Sequence, residues 1–97
     1  MAHYIAIIIE EPGKAVGVWF PDLPGCFSAG DDIDEALLNA PEAIELFLDV
    51  LGEEGGRAPK ARSLDELRRD PAIATEMTGS LVAAIPFNTP PLRTAAE

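Results

Sequence analysis

The sequence of 97 residues has one cysteine, one histidine, one tryptophan and one tyrosine. A single cysteine excludes an internal disulfide and fits a reducing compartment, where disulfides are rare. The only histidine, His3, stands near the start of a strand-like run, and the central motif holds none that could activate Cys26 as a nucleophile. A buried cysteine of this kind is ordinarily a small core residue. No apolar run reaches the roughly 18 residues a membrane span requires. The opening Met1-Ala2-His3-Tyr4 also lacks the basic start of a signal peptide. A cytoplasmic protein with no membrane partner is expected. There is no phosphate loop and no dinucleotide fingerprint, so no cofactor is expected.

Basic residues are scarce as well. Seven Lys and Arg stand against seventeen Asp and Glu, a net charge of −10. Such a field repels phosphate backbones and anionic lipids. Direct nucleic-acid binding is therefore disfavoured and a basic protein partner favoured, although acidity also serves solubility alone.

What is present is ordinary globular material, 47% hydrophobic and 25% charged, enough for one domain that buries roughly 65% of the surface its unfolded chain exposes. That domain is expected over residues 1–87. Residues 88–97, with two adjacent prolines, are expected to be a flexible tail or a truncated linker.

The chain is organised around Phe20-Pro21-Asp22-Leu23-Pro24-Gly25-Cys26-Phe27-Ser28-Ala29-Gly30-Asp31. Two prolines and two glycines exclude an uninterrupted helix or central strand here. Pro21, Asp22, Pro24, Gly25 and Gly30 are its structural turn residues, with Gly25 expected at a positive φ. Before it, Tyr4–Ile9 is β-branched, as in a strand buried on both faces. A Pro12-Gly13 turn links it to a second strand at Ala15–Phe20. Cys26–Ala29 reads as a third strand and Leu81–Pro86 as a fourth.

A long helix is expected from Asp32. Asp31 or Asp32 caps it, and Ile33, Ala36, Leu37, Ala40, Ile44, Phe47, Leu48 and Leu51 form its buried stripe. Gly52 and Gly55-Gly56 end it. Pro41 inside the pattern predicts one bent helix or two abutting ones. Ser63-Leu64-Asp65-Glu66 has capping-box spacing for a short helix to Arg69, closed by Asp70-Pro71, while Ala72–Gly79 is ambiguous and could carry another helical turn. The fold class is thus α+β: a three-stranded antiparallel meander plus a fourth strand, packed on one long helix and a short one.

Nine acidic residues and no Lys or Arg lie between Asp31 and Glu54. Such a face is either solvated or the dock of a basic partner. The candidate partner-binding residues are Trp19, Asp31, Asp32, Glu35, Glu42, Glu45 and Asp49, with Trp19 a potential anchor because adjacent Trp19 and Phe20 point to opposite faces of a strand. Asp22, Asp31, Asp32 and Asp34 could gather round a divalent cation, but their spacing matches no calcium loop and turn or capping roles account for each. No metal site and no catalytic residue is assigned.

The run Val18-Trp19-Phe20-Pro21-Asp22-Leu23-Pro24-Gly25-Cys26, the Gly30-Asp31 step and the helix carrying Asp34-Glu35-Ala36 and Asn39-Ala40-Pro41-Glu42-Ala43 resemble the HicB antitoxin family. The resemblance is close over residues 4–52 and looser over Ser63–Leu67 and Leu81–Phe87. It implies a degenerate ribonuclease-H-like unit without nuclease activity. It implies a partner too, a small basic HicA-type toxin that cleaves messenger RNA, and assembly as a homo-oligomer, dimer or tetramer. Many such proteins bind their operator through a C-terminal module; nothing after Phe87 is long enough for one, so DNA contact is not expected of this chain. Pro41 departs from the family's usual helix. Two rivals remain: a solitary oligomeric scaffold domain without a toxin partner, and a small metal-dependent hydrolase using Asp22, Asp31 and Asp32.

Overall fold

A computed structural model describes residues 2–87; the expected tail, 88–97, lies outside the described residues. In chain order the elements are β1 (Ala2–Ile9), β2 (Val16–Trp19), β3 (Phe27–Gly30), α1 (Ile33–Glu53), α2 (Leu64–Arg68), α3 (Pro71–Met77) and β4 (Leu81–Phe87). The strands form one antiparallel sheet in the order β3-β2-β1-β4. The meander is as expected, and the fourth strand closes on the far side of β1. That placement makes β1, like β2, an inner strand, and Tyr4 to Ile8 is an unbroken apolar run because both faces of β1 are covered. All five of these residues are buried.

Alternation sends Tyr4, Ala6 and Ile8 to one face of the sheet. There they join Val16, Val18, Phe20, Leu23, Ile85 and Phe87 in one core with Ala36, Ala40, Ile44 and Leu48 of α1. The tyrosine and phenylalanine rings of Tyr4 and Phe87 stack at 5.2 Å, 17° from parallel. Such a pair adds about 1 kcal/mol beyond its buried area.

The predicted stripe of α1 is the stripe that is buried. Asp32 is the cap, its side chain accepting from the Glu35 amide at 2.8 Å. At the other end Gly55, at φ +83, lets the Gly56 N–H reach the Leu51 carbonyl at 2.9 Å and the Gly55 N–H the Gly52 carbonyl at 3.0 Å. These are the two bonds of a Schellman cap. Gly52 itself lies within the last turn. Pro41 sits inside one continuous helix of 21 residues; it costs the bond its missing N–H would have given to Leu37, four residues back.

Two boundaries differ from the sequence reading. Cys26 precedes β3, held by a turn from its N–H to the Leu23 carbonyl at 3.0 Å. Asp70-Pro71 opens a helix as well as following one: the Asp70 carboxylate accepts from the Ala72 N–H at 3.1 Å, and Pro71 takes the first position of α3, where no N–H is needed.

Candidate functional site

The turn segment between β2 and β3 is fixed by two successive backbone turns, Leu23 N–H to Phe20 carbonyl and Cys26 N–H to Leu23 carbonyl, both 3.0 Å. Gly25 lies at φ +93, as expected, and a Cβ there would make an ordinary contact with the Phe47 ring at 3.8 Å. Gly30 is needed for a different reason. A Cβ there would stand 2.4 Å from the Ala36 backbone nitrogen and 2.8 Å from the Glu35 carbonyl carbon. It lets β3 run against the first turn of α1, where the Ser28 hydroxyl donates to the Ala36 carbonyl at 3.2 Å.

Asp22 does more than shape this turn. Its Oδ1 accepts from Arg62 Nε at 2.7 Å and its Oδ2 from the Arg62 backbone N–H at 2.8 Å. The same guanidinium reaches Asp70 at 3.0 Å. Tyr4 adds a second tie, its hydroxyl donating to the Pro59 carbonyl. The basic loop 57–62 is thereby fastened across the turn segment, a link the sequence reading missed. Asp22 and Asp70 hold the Arg62 pKa above its ordinary value, chiefly through their hydrogen bonds. Arg62 in turn is the main cause that lowers Asp70. Tyr4 is raised, first by burial and then by the Asp22 charge.

The carboxylates of the hydrolase rival are not gathered. Asp22 is committed to Arg62, and Asp32 caps α1. Among the described residues no group of three or more His, Cys, Asp or Glu side chains is arranged to hold a metal. Cys26 is buried, its thiol against the Ala43 carbonyl at 3.6 Å, and burial pushes its pKa up to about 11. A thiol so protonated is a poor nucleophile.

The partner-binding candidates fall into three places. Asp32 and Glu35 close the start of α1: Glu35 returns its carboxylate to the Asp31 N–H at 2.6 Å. Asp31 stands exposed beside an open groove that Glu10, Glu11, Asp32, Asp34 and Lys14 also line. Lys14 is paired with Glu11 at 3.4 Å. Glu42 and Asp49 lie exposed on the outer face of α1, with Glu45 half-buried among them. Trp19 is half-buried on the sheet face away from α1, in register with Ile7 and Phe27, and Phe27 is 69% exposed.

The outer face of α1 is not purely acidic. Leu38, Leu46 and Val50 are exposed on it, Leu38 to 80%. The signal was in the sequence, because all three fall off the buried stripe. Among the described residues no helix is long and apolar enough to cross a membrane.

Residues 4–95 match the model of the HicB_like antitoxin of bacterial toxin-antitoxin system. A 14.9 kDa protein in the rep-hol intergenic region of Haemophilus phage HP1 is 40% identical over 65 residues, which cover 67% of this chain and 49% of that protein. The chain thus spans about half the length of that curated relative. The crystal structure of the Burkholderia pseudomallei antitoxin HicB superposes with a TM-score of 0.72 at 30% identity, covering 89% of this chain and 63% of that one. A structure of the HicA3 and HicB3 toxin-antitoxin complex superposes at 0.71 with 25% identity, covering 91% of this chain and all of the matched one.

Proposed function

The chain belongs to the HicB-like antitoxin family, and from that premise we propose that it binds and neutralises a small basic HicA-type toxin, one that cleaves messenger RNA. The observation that carries this reading is the outer face of α1. Between Asp31 and Glu54 it bears only acidic charge, with Glu42, Asp49 and Glu53 exposed. A surface evolved to hold RNA is basic, so it is complementary to this face. The attraction speeds encounter, and the docked antitoxin denies RNA its place. Leu38 and Leu46 provide the apolar contacts that charge alone cannot, since rim charges set the on-rate more than the affinity.

The domain acts by binding, in the cytoplasm where toxin meets message, with no catalysis of its own, and it self-associates as a homo-oligomer. Autoregulation of the operon would be the work of a C-terminal DNA-binding module rather than of this acidic domain. The test is a titration of a purified HicA-type toxin with the full chain, reading RNA cleavage. Cleavage should stop near one-to-one stoichiometry. Undiminished cleavage at excess chain overturns the reading and leaves the scaffold domain.

A further inference from the structure

The two edges of the sheet are unlike. The β3 edge is short and tied to α1, the Asn39 side-chain amide donating to the Ala29 carbonyl at 2.9 Å. The β4 edge runs for seven residues. Among the described residues no side chain or loop outside the sheet hydrogen-bonds to its backbone. Edges of this length are usually blunted by charge, a bulge or a cover. From Met77 to Phe87 there is no Asp, Glu, Lys or Arg, in a chain whose net charge is −10.

Pro86 is the one device present. A proline sits in an edge strand with its nitrogen turned away from the neighbouring strand, and Pro86 is the register partner of His3 in β1. Backbone groups alternate along a strand, so Val82 and Ala84 turn their N–H and C=O groups to the same open side.

We propose that β4 pairs with itself: two copies of this chain join antiparallel, edge to edge, about a two-fold axis at Ala84, and double the four-stranded sheet. In that register Ala84 exchanges hydrogen bonds with its counterpart. Each Val82 N–H meets the Pro86 carbonyl of the other copy, so every outward N–H finds an acceptor although Pro86 offers no donor. The facing side chains are Leu81 with Phe87, Val82 with Pro86 and Ala83 with Ile85, all apolar. Leu81, 48% exposed in the single chain, is covered.

Charge decides for a second copy as the occupant. Two acidic chains repel on most approaches, and an approach along β4, which carries no charged side chain, meets little of that repulsion. A basic partner is drawn instead to carboxylates that β4 lacks. The antiparallel two-fold uses the same patch on both copies, as a closed dimer requires. This deepens the self-association proposed above and is independent of toxin neutralisation.

Sedimentation of the full chain over a concentration series reads the dimer directly. Ala84→Pro removes an N–H that the pairing with β1 does not use. Ala84→Glu and Ala84→Lys place like charges face to face across the axis, on an exposed position that leaves the fold and its circular dichroism unchanged. Each charged variant should weaken the dimer by roughly fivefold, and mixing Ala84→Glu with Ala84→Lys should restore association. This rescue holds the test open even if Ala84→Pro does not fold. A monomer at every concentration overturns self-association itself. A dimer indifferent to both charged variants overturns β4 as its site and directs attention to Trp19 and Phe27. A monomer whose Val82 and Ala84 amides exchange slowly would mean that the chain's own residues 88–97 cover the edge, which also overturns the proposal.

Discussion

Arg62 holds Asp22 at both carboxylate oxygens, Nε on one at 2.7 Å and the backbone N–H on the other at 2.8 Å, across 40 positions of sequence. The Asp22 side chain is only 8% exposed, against 32% for Arg62. Removing the guanidinium therefore strands a nearly buried charge, while the arginine's own site is wetter. The loop between α1 and α2 owes its path to this pair and to Tyr4 on Pro59.

Arg62→Ala should cost about 2 kcal/mol, the typical loss of hydrogen bonds to a charged group. Arg62→Lys should recover part of it, since the charge stays but the forked geometry is lost. Urea unfolding midpoints check both. An Arg62→Ala midpoint equal to the wild type would mean that the loop is held by something else.

Gly25 and Gly30 should separate by mechanism. Gly25→Ala meets only an ordinary contact with the Phe47 ring but a left-handed backbone, a cost of about 1 kcal/mol. Gly30→Ala drives a methyl into the backbone of α1, and about 3 kcal/mol or more is expected from a clash that no rotamer relieves. Thermal unfolding should therefore rank Gly30→Ala well below Gly25→Ala. The reverse order would contradict the close approach of β3 to α1.

Much of this fold was legible in the sequence, for identifiable reasons. The stripe from Ile33 to Leu51 obeys a helical period, and Gly55-Gly56 carries a termination signal that depends on a few adjacent residues. The Tyr4–Ile8 run marks a strand covered on both faces, whereas the pairing of β4 with β1 leaves no local signal, because it joins the two ends of the described chain. The Asp22–Arg62 tie was not legible, because a contact between two loops leaves no periodicity. α3 is only half legible, as one further helical turn, because Asp70-Pro71 reads equally as a stop and as a start. The acidic face of α1 is visible as charge, and Leu38, Leu46 and Val50 stand out on it as apolar positions off the buried stripe.

Cys26 should be chemically quiet in the folded chain. With its pKa pushed up to about 11, its thiolate fraction near pH 8 falls roughly a hundredfold below that of an ordinary thiol. Alkylation followed by mass spectrometry should be slow in buffer and fast in urea. Equal rates in the two would contradict its burial.

Acid should weaken the Arg62–Asp70 link with a definite sign. Asp70 is held below the usual carboxylate range, first by the Arg62 hydrogen bond. Its stabilisation is complete above that range and is lost as pH falls through the lowered value. Glu66, lowered first by the Ser63 backbone N–H, acts in the same direction. Asp70→Asn keeps the α3 cap, since Asn also caps well, but removes the charge. Its deficit against the wild type should be largest near neutral pH and shrink as acid protonates the wild-type carboxylate. A deficit that stays constant would place the Asp70 contribution in something other than its charge.

The most direct test of the central claim is the association rate of the chain with a purified HicA-type toxin, measured by stopped flow at low and at moderate salt. Glu42→Lys with Glu53→Lys, both on exposed positions of α1, should slow association by about tenfold or more at low salt, and the gap should narrow as salt screens the field. The wild type should fall towards the variant's rate as salt rises. An on-rate unchanged by the substitutions at every salt concentration would contradict the acidic face of α1 as the docking surface.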